Sequence, residues 1–243
     1  MWQALYDELH HLGFTVITVA LDTGGADAAR AFIERAKPAH PSLIDRRHAV
    51  ADLYQFVNVP NAVWIDEQGT IVRLAHAPAA TAAMANMIGL GADDYLNAVR
   101  DWAVHGADSR FVPAPDQRRA LQHEPDGDDV IAALNFRLGE YLVEHGAAVA
   151  ARPYLDEAVR LRPGSWAYRR QAWALFEPPE KNGTLWYAAT VQHPVLPDEP
   201  YYAPVHLEGD AAPIDPAEAA RKQRQLFEST FGRAFAKRDD PSV

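Results

Sequence analysis

Ten histidines and 33 aspartates and glutamates are the side chains able to move protons or hold a metal, and the 243 residues include no cysteine. The zero excludes disulfides, zinc–thiolate sites and cysteine nucleophiles from the chain. His10 and His11 are adjacent, so a helix turns them to different faces and not toward one ion. His193, Asp198, Glu199 and His206 share a proline-rich stretch without the spacing of a ligand set. No metal and no cofactor is expected, and these histidines read as surface or capping residues. Thr23-Gly24-Gly25 is too short for a phosphate loop, and no Ser/His/Asp order points to a hydrolase. Two places remain. Asp22 ends an apolar run, where it would serve as a proton relay or as a turn-forming residue. Val59-Pro60 precedes another apolar run, where the proline would shape a cleft or be a plain loop residue.

The elements that would position these residues follow from periodicity. Trp2, Leu5, Leu9 and Leu12 recur at helical spacing before Gly13. Residues 14–22 are almost continuously apolar and β-branched, as in a strand buried on both faces of a parallel sheet. A helix over 26–37, a strand over 42–45, a short helix over 48–56, a hairpin over 62–74 and a helix over 93–104 come next. The order α-β-α-β-α-β-β-α calls for an α/β sandwich with a mixed sheet. Residues 107–129 read as a polar, proline-containing linker. Three helices are expected within 130–176, an extended Pro- and aromatic-rich segment over 177–214, and an amphipathic helix over 215–238. Asp215 caps that last helix, and Phe227, Phe231 and Phe235 form one stripe. Its basic residues, Arg221, Lys222, Arg224, Arg233, Lys237 and Arg238, lie opposite that stripe, and packing of the helix on the protein's own surface is expected over a membrane contact.

Within 130–163, Leu138-Gly139, then Ala151, Leu155 and Ala158, then Pro163 fall where the 34-residue tetratricopeptide pattern has Leu-Gly, small, bulky, small and proline. Gly139 and Ala151 would let two helices approach closely, with Leu155 in the groove beside them. Asn135 replaces the pattern's first aromatic. The segment therefore resembles one to one-and-a-half tetratricopeptide units, a scaffold that implies a protein or peptide partner or a helical cap.

The run from Pro41-Ser42-Leu43-Ile44-Asp45 through Val59-Pro60-Asn61-Ala62-Val63-Trp64-Ile65-Asp66-Glu67-Gln68-Gly69-Thr70-Ile71-Val72 resembles the thioredoxin-like fold, in its ResA/TlpA and alkyl hydroperoxide reductase-like branch. The resemblance covers residues 1–106. It implies a thioredoxin-like sandwich, a cis Val59-Pro60 bond facing a redox site, and a Val59 backbone that pairs with an extended substrate. It also implies a Cys-x-x-Cys motif at a helix amino terminus, where the dipole lowers the first thiol's pKa. That motif and the strand before it do not occur in the sequence. The expectation is a thiol–disulfide oxidoreductase or peroxide reductase relative shortened at a cysteine or selenocysteine motif, with no catalytic residue of its own. The alternative is a redox-inactive thioredoxin-like and tetratricopeptide-like binding module.

Charge narrows the partners. Lys+Arg number 23 against 33 acids, a formal net charge of −10, and such a surface repels phosphate. No nucleic-acid partner and no transmembrane segment is expected. The first residues carry no basic leader pattern, but in a chain expected to be shortened at its amino terminus that is no evidence of compartment; the cytoplasm is favoured only slightly.

Overall fold

The computed structural model describes residues 1–79, 81–91, 93–122, 124–207 and 215–236 of a mixed α/β chain. The chain divides into two units, Met1–Asp126 with Val205–Ala211 and Gly127–Pro204 with Ala212–Val243.

In the first unit, helix α1 (Trp2–Leu9) buries Leu5 and Leu9 and ends in a 3-10 turn (His10–Leu12). Gly13 stops it at φ +84°, the left-handed conformation that glycine adopts without cost. Strand β1 (Thr18–Leu21) runs parallel to β2 (Ser42–Asp45), connected by α2 (Ala26–Ala36). The register pairs Thr18 with Ser42 and Leu21 with Asp45, and the Thr18 and Ser42 hydroxyls meet at 2.8 Å. After α3 (Ala49–Leu53), strands β3 (Ala62–Ile65) and β4 (Ile71–His76) form an antiparallel hairpin. Asp66 builds its turn by accepting from the amides of Gln68 and Thr70 at 3.0 and 2.7 Å. Helix α4 (Ala82–Met87), capped by Thr81, and α5 (Asp94–His105) complete the layer.

Two expectations need correction. There is no single mixed sheet: among the described residues, β1 pairs only with β2 and β3 only with β4. The strand expected over 14–22 is Thr18–Leu21, because a ladder extends only as far as its partner, and β2 has four residues. Helix α5 instead ties the pieces together. Its Trp102 stacks on Trp64 of β3 at 4.9 Å and meets Phe14, ahead of β1, edge-on at 6.1 Å. From α1, Glu8 grips Arg100 of α5 through two bonds of 2.8 and 3.0 Å. Where a linker was expected, Ser109 and Phe111 are buried and α6 (Pro115–Leu121) forms with Pro115 at its first position.

The second unit opens with α7 (Gly127–Glu144), α8 (Ala148–Leu161) and α9 (Trp166–Phe176), the three expected helices. Ala132, Phe136, Leu155, Ala158 and Tyr168 make its core. Within the segment expected to be extended, residues 179–192 are helical, in a 3-10 turn (Pro179–Lys181), α10 (Asn182–Tyr187) and a π turn (Ala188–Gln192). The reason is its aromatic pair. A helix lets Trp186 pack on Phe227 and Phe231 at 5.0 and 5.6 Å while Tyr187 stacks on Phe235 at 5.2 Å. Those phenylalanines form the stripe of α11 (Pro216–Ala236), whose first turn Asp215 caps by accepting from Ala217. Away from that stripe Lys222 pairs with Glu218, whereas Arg224, expected on the far face, lies one turn before Phe227 on the stripe's own side and donates to the Pro197 carbonyl. Lys237 and Arg238 lie outside the described residues. No described helix is long and apolar enough to cross a membrane.

Candidate functional site

Asp22 follows β1 directly. Its carboxylate accepts from the Gly24 amide at 2.8 Å, while its own amide donates to the Asp45 carbonyl at the end of β2. The group thus closes the turn into α2, the local arrangement that aspartate favours. Val59 and Pro60 stand on the other sheet, immediately before β3, with Val59 half-buried and Pro60 exposed. The bond between them is cis. The buried Asn58 side chain accepts from the Val59 amide at 2.8 Å and Asn61 from the Ala62 amide at 2.9 Å. Asp22 and Val59-Pro60 therefore belong to separate two-stranded sheets.

A buried cluster that no local sequence pattern foretells lies on the hairpin. His76 Nδ1 is 2.7 Å from the Leu74 carbonyl, which only accepts, so that nitrogen carries the proton. Its Nε2 then accepts from the Tyr95 hydroxyl at 2.9 Å, and Tyr95 accepts from the Trp64 indole at 3.2 Å. The chain is satisfied with a neutral imidazole. Burial first, and the Arg73 charge second, push the His76 pKa down to about 3. Burial pushes the Tyr95 phenol up to about 12.

Arg73 itself is buried, and among the described residues no carboxylate pairs with it. Its guanidinium lies 5.3 Å from the Trp64 ring centroid and donates to three carbonyls: Phe111 at 2.8 Å, Leu207 at 3.1 Å, and His206. Loss of water lowers its pKa. Its Nε has no hydrogen-bond partner among the described residues. Perturbed groups often mark active sites; in this constellation His76 and Tyr95 bond to each other and Arg73 bonds to backbone carbonyls. It anchors chain: the guanidinium fastens residues 111 and 206–207 to the hairpin, beside the bond from the Val205 amide to the Ile88 carbonyl.

Ser109, Asp101 and His105 bring together the residue types of a hydrolytic triad in another wiring. Ser109 Oγ donates to Asp101 at 2.6 Å, and His105 Nδ1 lies 3.3 Å from the other carboxylate oxygen. The imidazole does not stand between hydroxyl and carboxylate, so it cannot relay the serine proton. The Ser109 oxygen also accepts from the Phe111 amide, which makes it a turn cap.

In the second unit the repeat residues separate by face. Ala151, Leu155 and Ala158 are buried, as is Gly139, whereas Leu138 and Pro163 are exposed. A Cβ built on Gly139 would lie 2.5 Å from Leu155 Cγ, so glycine sets the separation of α7 and α8. Asn135 turns back to the Ile131 carbonyl at 2.9 Å, and the neighbouring Phe136 stacks on Tyr168 at 4.2 Å in the core.

No group of three or more metal-binding side chains occurs among the described residues. Set against protein-family models, curated proteins and solved structures, the chain matches none.

Proposed function

We propose that the first unit is a thioredoxin-like domain of the thiol–disulfide oxidoreductase class, supplying the framework and not the sulfur. The observation that carries the reading is the division of its strands. Among the described residues β1 pairs only with β2 and β3 only with β4, and Trp102 of α5 packs on Trp64 of β3 and on Phe14 ahead of β1. The apolar residues of β1 are only half-buried, and Ile17 and Leu43 are 58% and 54% exposed. A strand seated between β1 and β3 would pair their outer backbone groups. Val59 and Pro60 would border the substrate groove, with Asp22 across it as the proton relay.

Thiol–disulfide exchange requires a thiolate to attack one disulfide sulfur and expel the other. With no cysteine, the chain alone should give a blank disulfide-reduction assay with dithiothreitol as reductant. The positive test supplies an apolar strand peptide ending in Cys-Gly-Pro-Cys. Protection from hydrogen exchange at the amides of Thr18–Leu21 and Ala62–Ile65 is expected, with gain of dithiothreitol-driven disulfide reduction. A peptide that protects neither strand overturns the proposal.

A second reading, a redox-inactive module for a protein partner, is favoured by the apolar outer face of α7. Capture of a partner that is indifferent to reductant separates it from the first.

A further inference from the structure

Helix α7 is apolar on two opposite faces. Ala132, Phe136 and Gly139 pack into the unit. On the other side Ile131, Leu134, Leu138 and Tyr141 are 48%, 61%, 40% and 54% exposed. With His145, the turn residue just after α7 whose ring stacks on Tyr141, they follow one another at intervals of three, four, three and four, the a/d spacing of a coiled-coil seam. A helix apolar on both sides calls for a second covering surface.

We infer that this seam pairs with the same helix of a second copy, antiparallel, about a two-fold axis. Charge selects this occupant. Placing Leu138 against the partner's Tyr141, and Leu134 against the partner's His145, is a single register. That register sets Arg137, which flanks the seam, beside the partner's Glu144, and symmetry repeats the contact. Both residues are exposed. A parallel pairing sets neither opposite its counter-charge. The inference stands on α7 alone and is independent of the redox reading.

The size of the seam sets its strength. Its apolar part is four residues of one helix, against about 20–30 residues a side in a standard interface. The dimer is therefore weak and depends on concentration.

Sedimentation of the full chain from about 1 to 200 μM tests this, with circular dichroism as the check on folding. A shift from monomer to dimer is expected. Leu134→Glu with Leu138→Glu should abolish it while leaving the helix content unchanged. Arg137→Glu or Glu144→Arg alone should weaken dimerisation about three- to tenfold, and the double exchange should restore it. A monomer at every concentration overturns the inference, whether or not the seam then takes another protein. A dimer insensitive to the glutamate pair, or a double exchange no better than the singles, overturns it too.

Discussion

His76 shows how a buried base couples folding to acidity. Its pKa falls from 6.5 to about 3 on folding, so between those values the unfolded chain binds a proton that the folded chain refuses. Its contribution is intact above pH 6.5 and is lost as pH falls toward 3, at up to about 1.4 kcal/mol per pH unit. Denaturant melts of the wild type and His76→Gln from pH 7 to pH 4 should diverge in slope, the variant being flatter. Parallel slopes would show that the ring is hydrated. Gly139 is the corresponding point in the helical unit. Alanine there gains about 1 kcal/mol of helix propensity but forces Leu155 off its seat at about 1–3 kcal/mol. A Gly139→Ala variant should lose roughly 1 kcal/mol net, and that loss should vanish in a Leu155→Ala background.

Elements differ in how far local sequence foretells them. β2 was legible as residues 42–45 because Pro41 and Asp45 bracket a short apolar run. The α7–α8–α9 arrangement was legible because Gly139, Ala151, Leu155 and Ala158 repeat a pattern of close helix approach. β1 was read too long, because its end is set by β2 and not by its own residues. The helices between Pro179 and Gln192 were missed because prolines and aromatics suggest an extended chain when α11 is not in view. The Arg73 cluster left no local signal. The carbonyls it binds stand 38 to 134 residues away, and a backbone carbonyl carries no side-chain signature. At this scale, whether β1 and β3 accept a strand is the decisive property, and the peptide experiment reads it out.

For the whole molecule, the division into units does not follow the order of the chain. The first unit includes residues beyond 204, after the main helical body of the second. A fragment ending at residue 126 lacks two of the three carbonyls that receive Arg73. An unmet buried donor costs about 1–3 kcal/mol, more when charged, so the fragment should be at least about 2 kcal/mol less stable than the same unit in the full chain. Hydrogen exchange at Trp64 and Val72 would measure the difference. Equal protection in both would mean that the guanidinium finds water instead.

The reach of Arg73 also sets a delay in biosynthesis. Leu207 is added 134 residues after the arginine. At about 5–20 residues per second, the ribosome takes on the order of ten seconds to cover that distance. Through that interval the nascent first unit has its hairpin, α5 and Trp64 in place while the guanidinium still holds solvent. Closure of its core waits for a stretch of chain that emerges after α7, α8 and α9.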